Sequence, residues 1–238
     1  MAHTFLVQLS DPHVVAGAEG DDAAAALAHA VAEVMRLPLP PQAVLVSGDL
    51  VHDGAPASYA RVKDLLAPLQ MPVHVIPGNH DEPAALRDAF GTADEATVGD
   101  LRLLLSSTHV PGSDGGHLDV EALAERLDDR PTILAMHHPP LRTGVPAIDD
   151  IGLATADREA LAALLARSPQ VLRVVCGHVH RTTFETLGGC GVFTCPSTYL
   201  QVEPGADPGT IAFVPRGRGF GIHSTLGGSL VSQTQPIA

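Results

Sequence analysis

Alternating strand and helix signals predict an α/β fold over the first three quarters of the chain, with a largely parallel sheet and helical crossovers. Three observations carry this. Short apolar, β-prone runs alternate with helical stretches. Polar residues gather where those runs end, the place where α/β folds keep their sites. After about residue 181 the pattern changes to short strand candidates between Gly/Pro turns, which implies a second sheet or a mixed extension.

In order, Thr4–Leu9 reads as a strand ending at Ser10, Asp11, Pro12 and His13. Asp21 or Asp22 is positioned to cap an Ala-rich helix running to about Leu37, where Pro38, Pro40 and Pro41 stop it. Ala43–Ser47 is a buried-type strand ending at Gly48 and Asp49. From Ala57 to Leu66 an amphipathic helix places Tyr59, Val62, Leu65 and Leu66 on one side. Val73–Ile76 is a strand followed by Pro77, Gly78, Asn79, His80 and Asp81, then a short helix over Pro83–Phe90. Leu101–Ser106 is the fourth strand, Val120–Leu127 a helix, and Thr132–Met136 the fifth strand, ending at His137 and His138. A long loop leads to a helix through Arg167 that Asp157 would cap. Leu172–Cys176 is the sixth strand, ending in Gly177, His178, Val179 and His180. The remaining candidates, Thr182–Leu187, Gly191–Thr194, Thr210–Val214, Phe220–Ser224 and Ser229–Thr234, read as an antiparallel meander. No linker or internal repeat interrupts residues 1–238, which read as a single domain.

The net charge of −13 argues against nucleic acid or an anionic membrane as the main partner. Anionic small molecules stay open, because bound metal can reverse the local sign. The three cysteines make no disulfide framework, and the N-terminus shows no basic segment followed by an apolar one. Both point to a cytoplasmic protein with reduced thiols.

Each polar strand end has an ordinary local explanation as a turn or a helix approach. Together, Asp11, His13, Asp49, Asn79, His80, Asp81, His137, His138, His178 and His180 supply carboxylate, amide and imidazole without a thiolate. That donor set suits Mn, Fe or Zn, with Co also accepted. It exceeds what one structural zinc needs and would serve two metals about 3.5–4 Å apart.

The ordered set Asp11-Pro12-His13, Gly48-Asp49, Gly78-Asn79-His80-Asp81, His137 and Gly177-His178-Val179-His180 resembles the calcineurin-like metallophosphoesterases. Its surroundings, Ser47–Gly54, His138-Pro139-Pro140 and Cys195–Thr198 with Gln201, are similar to the bacterial class III cyclic-nucleotide phosphodiesterases and the related glycerophosphodiesterases. The resemblance implies a metallophosphoesterase αββα sandwich: two mixed β-sheets flanked by helices. It implies a first divalent or trivalent metal on Asp11, His13, Asp49 and His180. A second would lie on Asn79, His137 and His178, with Asp49 bridging. His80 would be a catalytic non-ligand, and Asn79, His80 and His178 would face the substrate. His138 is the alternative to His137, since neighbours on an extended strand end point opposite ways. The same rule, applied to His178 and His180, sends both imidazoles to one side with Val179 turned away. Gly177 would allow the backbone to pass close to the site.

The implied reaction is hydrolysis of a small phosphodiester by in-line attack of a metal-bridging hydroxide. The leading substrates are 3′,5′-cyclic nucleotides. Glycerophosphodiesters or 2′,3′-cyclic nucleotides form the alternative, and a catalytically silent scaffold of the same fold is a different class. His52 stands where the branch usually has Asp, either as a surface residue or lining the substrate mouth. His109, Tyr199, Gln201, Arg142 and Arg181 are further residues near the motifs. His3, His29, His74, His117 and His223 read as structural or surface. A homodimer through the late strands is also expected.

Overall fold

The computed structural model describes residues 3–91, 93–204, 209–225 and 229–237. In the first half run β1 (Phe5–Leu9), α1 (Asp21–Met35), β2 (Ala43–Val46), α2 (Pro56–Leu66), β3 (Val73–Val75), α3 (Pro83–Phe90), β4 (Glu95–Val98) and β5 (Leu101–Leu105). The second half carries α4 (Val120–Arg126), β6 (Thr132–Ala135), α5 (Pro146–Asp149), α6 (Thr155–Leu165), β7 (Val171–Cys176), β8 (Thr183–Leu187) and β9 (Cys190–Thr194). The chain closes with β10 (Gln201–Val202), β11 (Phe213–Val214), β12 (Gly219–Ser224) and β13 (Val231–Pro236).

Two mixed sheets form, ordered β13-β12-β1-β2-β3 and β4-β5-β6-β7-β9-β8, with β10-β11 as a small ribbon. Strands β1, β2, β5 and β6 are buried along their whole length, as strands covered on both faces must be, with Gln8, Arg102 and Thr132 the polar residues among them. Leu6, Leu45, Leu103, Ile133 and Val175 pack between the sheets. Helices α1 and α2 place Leu27, Val31, Val62 and Leu66 on the outer face of the first sheet. Leu123 of α4 and Leu161, Leu164 and Leu165 of α6 do the same for the second. The expected α/β sandwich is therefore the fold. Among the described residues no helix is long and apolar enough to cross a membrane.

The C-terminal quarter is not a meander. Strand β9 joins the second sheet parallel to β7, while β12 returns to pair antiparallel with β1. The late strands complete both sheets, and their partners lie too far along the chain for a local pattern to reveal. Strand β4 also escaped the sequence reading because only Val98 of its four residues is buried; the Gly99-Asp100 turn that joins it to β5 was the available signal. The short α5 lies within the segment read as loop. Neither expected Asp cap is used. Helix α1 follows Gly20, and α6 starts at Thr155, two residues before Asp157. The Asp157 carboxylate instead accepts from the Leu118 N–H at 2.9 Å and contacts His117 Nδ1 at 2.7 Å.

Candidate metal centre

The C-terminal ends of β1, β2, β3, β6 and β7 converge on one spot. Backbone bonds tie the first two loops together, from Asp11 N–H to Gly48 O and from His13 N–H to Asp49 O. Asp11, His13, Asp49, His178 and His180 all have φ between 48° and 68°. They are the only non-glycine residues in the left-handed region among the described residues. Each such residue costs about 1–3 kcal/mol, so the fold holds five side chains in unfavourable backbone to aim them inward. His178-Val179-His180 is thus not extended, contrary to the sequence expectation. The Val179 N–H bonds back to Gly177 O at 2.8 Å, and two left-handed residues flank it. The outcome still matches: Val179 is buried away from the site against Ile148 and Val202. A Cβ on Gly177 would lie 2.4 Å from Ser10 Oγ, which accounts for glycine there.

Asp49 sits at the middle. One carboxylate oxygen accepts from the His80 N–H at 2.9 Å. The other lies 3.5 Å from His13 Nε2 and 3.4 Å from His137 Nε2. On one side, His13 Nε2 and His180 Nε2 face each other at 3.0 Å, with Asp11 Oδ1 3.6 Å from His180 Nε2. On the other, Asn79 Oδ1 is 3.1 Å from both His137 Nε2 and His178 Nδ1. His137 Nδ1–H donates to Ser47 O and His180 Nδ1–H to Leu200 O, so each ring turns its Nε2 inward.

Burial holds the His13 and His178 imidazoles well below their usual range, which keeps them neutral. Burial alone would raise Asp49, but His137 and His13 outweigh it and hold the carboxyl well below the usual range. Burial lowers His137, yet the Asp49 carboxylate beside it wins and raises the imidazole to about 9. Asp11 is raised by burial, with His180 and His137 partly opposing. The buried Nε2 of His178 has no hydrogen-bond partner at all. Asp11, His13, Asp49 and His180 group within metal-ligand reach, as do His137, His138 and His178, and His13, His52 and His80. The donor set fits hard-to-borderline cations.

Both nitrogens of His138 are occupied, Nδ1 by the Thr108 hydroxyl at 2.8 Å and Nε2 by Asp114 O at 3.0 Å. Its ring lies nearly perpendicular to that of His137. Asp81 braces the loops instead of joining the cluster, accepting from Gly78 N–H, Leu50 N–H and Tyr59 OH. Its burial, with Asp49 nearby, raises it to about 6.

Over the cluster opens a cavity of about 480 Å³, lined by His13, Asp49, Asn79, His80, His178 and His180. His52 and Tyr199 line it too. The His52 ring stacks on His80 at 4.6 Å, and His80 Nδ1–H donates to His52 O at 3.2 Å. His109 instead lines a second cavity of about 600 Å³ on the far side of Asn79 and His80. Among the described residues no Lys or Arg lines the first cavity. Arg181 turns away to donate to Val202 O, and Gln201 to donate to Ser197 O. His223 is buried in the sheet, while His29 pairs with Glu33 on the surface. The reading from sequence missed the cavity's apolar side, formed in part by Ile148, Ile151, Ile211 and Phe213.

Comparison with known proteins agrees with this geometry. The calcineurin-like phosphoesterase family matches residues 6–182. The 3′,5′-cyclic adenosine monophosphate phosphodiesterase CpdA of Pseudomonas aeruginosa is 34% identical over 224 residues, covering 88% of this chain and 82% of that protein. The glycerophosphodiester phosphodiesterase GpdQ of Enterobacter lignolyticus is 33% identical over 184 residues, covering 68% of this chain and 64% of that protein. A dimetal phosphatase from Danio rerio shares the fold with a TM-score of 0.70 at 16% identity, covering 99% of this chain and 96% of that one. With the family match spanning the strand ends that build the cluster, and a relative of one-third identity along most of its length, the chain belongs to the calcineurin-like phosphoesterase family.

Proposed function

We propose that the chain hydrolyses 3′,5′-cyclic nucleotides at a dinuclear centre. Asp11, His13, Asp49 and His180 hold one ion, and Asp49, Asn79, His137 and His178 hold the other. The observation that carries this is the Asp49 oxygen set between His13 and His137, beneath a cavity large enough for a small ligand. Likeness to the P. aeruginosa cyclic AMP phosphodiesterase supports the substrate class. Bound there, two such ions would neutralise the phosphate oxygens and acidify a water for attack on phosphorus.

The chain's own groups do the rest. Asp49 holds the two donor sets together. Asn79 and His178 border the substrate space and orient the phosphate. His80 donates its Nδ1–H to His52 O, which points Nε2 at the cavity; in the doubly protonated ring the Nε2–H would stabilise the leaving oxygen or be transferred to it. The test is turnover of cyclic AMP, bis-p-nitrophenyl phosphate, p-nitrophenyl phosphate and glycerophosphocholine by protein reconstituted with Mn, Fe, Zn or Co. Cyclic AMP turnover is expected, whereas exclusive cleavage of the monoester would overturn the reading. Glycerophosphodiester hydrolysis is the second reading, favoured by the likeness to GpdQ.

We also propose a homodimer through the sheet edges. Strands β8 and β13 end their sheets, and Phe184 and Val231 on them are more than half exposed. Light scattering on the purified protein tests it. A cytoplasmic location fits Cys176, Cys190 and Cys195, all free and buried.

A further inference from the structure

Facing the donors, the central cavity has a second wall that neither metal binding nor proton transfer uses. Ile148 and Ile151 reach it from α5 and the residues after it, Ile211 and Phe213 from β11 and the segment before it, and Tyr199 and Leu200 from the loop after β9. The Phe213 ring is 5.3 Å from that of His180, so the apolar surface begins where the donor cluster ends. Phe213 is 48% exposed, although a small apolar cluster containing Ile148, Val179, Val202 and Ile211 stands close by. An open aromatic face beside convergent polar groups is the usual composition of a small-molecule site. The distance between the two walls is fixed, because the His180 ring is bonded to Leu200 O at 2.7 Å.

The chemistry of this wall discriminates among diesters. A glycerol arm has no π-face for Phe213 and carries hydroxyls that find no partner among the isoleucines, so burying it there is unfavourable. A planar heterocycle offers a π-face that Phe213 can stack on and an apolar outline that isoleucines can cover. Two carboxylates, Glu19 and Asp114, also line the cavity. They can accept N–H groups from a base edge, and they repel a second anionic group.

Building on the cyclic-nucleotide reading, we propose that this wall is the nucleobase subsite, with Phe213 and Ile151 as its principal contacts. It sets the preference for nucleoside diesters over glycerol-based ones.

The test compares full-length, metal-reconstituted wild type with Phe213→Ala, Ile151→Ser and Phe213→Tyr, using cyclic AMP and glycerophosphocholine. The ratio of kcat/KM for cyclic AMP over glycerophosphocholine is expected to fall at least tenfold in Phe213→Ala and Ile151→Ser. The loss should be carried by KM, the mark of lost binding rather than lost chemistry. Phe213→Tyr, which keeps the aromatic face, should restore most of the ratio. Adenosine binding, followed by calorimetry, should weaken in step. An unchanged ratio, or an equal loss on both substrates, overturns the subsite. If wild type fails on cyclic AMP, the functional reading falls by itself. The subsite is then judged by the ratio of bis-p-nitrophenyl phosphate to glycerophosphocholine, whose aryl arm would meet the same wall: a tenfold fall supports it and an unchanged ratio sinks it.

Discussion

The two walls of the central cavity are built in opposite ways. The polar wall stands on the ends of five strands, and its side chains are held in strained backbone and tied by hydrogen bonds. A buried chain of contacts supports it from Ser232 through His223, Gln8, Ser47 and Ser10 to Asp11. The apolar wall stands on a short helix, a two-residue strand and loops, packed on a few aliphatic residues. One wall is precise where chemistry needs placed atoms. The other is adaptable where a substrate needs only a surface.

The sharpest break falls on Asp49. Asp49→Ala removes the carboxylate at the centre of both donor sets, so the variant should lose both metals and nearly all activity, on the order of 10⁴-fold or more. Metal content by elemental analysis, with turnover, checks this. Near-normal turnover would sink the dinuclear reading. His80→Ala comes next. It removes the ring at the cavity but keeps the backbone N–H that bonds Asp49. Metal content should hold while kcat falls about 10²–10⁴-fold, as general acid help is lost. Metal loss in this variant would make His80 a ligand and put it among the structural members of the polar wall.

The same contrast decided what the sequence revealed. Asp11, His13, Asp49, Asn79, His137, His178 and His180 were legible because each occupies a strand end in a fixed local motif, and the fold only has to bring the ends together. The divergence of neighbours says only that one of His137 and His138 reaches the cluster; the resemblance to the family, which places the ligand two residues before the Pro, picked His137, and the structure engages both nitrogens of His138 with Thr108 and Asp114. Ile148, Ile151, Ile211 and Phe213 carry no such signature. An isoleucine in a loop looks alike whether it faces a ligand, a core or solvent. Only the pairing of β10 with β11 and the position of α5 bring these residues to the cavity. The left-handed backbone of His178 and His180 was equally hidden, because the bonds that hold these residues, from His178 N–H to Asp11 and from His180 Nδ1–H to Leu200 O, reach partners far away in sequence.

The support beneath the polar wall can be probed by acid. His223 is fully buried, and burial, followed by the charge of Arg173, lowers it to about 3. In the unfolded chain it returns to about 6.5. Between those values the unfolded state binds more protons, so stability rises with pH there. The contribution is complete above about pH 6.5 and is lost as the pH falls toward 3. At pH 4.5, about two units below the unfolded value, this single group costs about 2.7 kcal/mol. Urea unfolding of wild type and His223→Gln at pH 7 and pH 4.5 measures it. The acid-induced loss should be smaller in the variant by about that amount, and equal losses would show that His223 is charged or solvated in the fold.

Val179 tests whether the walls can be separated at all. It lies between two donors of the polar wall, yet its side chain packs on Ile148 and Val202, behind the apolar one. Val179→Ala deletes two buried methyl groups and leaves a small cavity, worth about 2 kcal/mol of stability. His178 and His180 are fixed by bonds of their own, from His178 N–H to Asp11 and from His180 Nδ1–H to Leu200 O. Metal content should therefore match wild type, while loosening around Ile148 raises the KM for cyclic AMP a few-fold. Thermal unfolding, elemental analysis and steady-state kinetics on one preparation read all three quantities. A fall in metal content with little change in KM would mean that Val179 packing aims the histidines, and the two walls would then be a single structural unit.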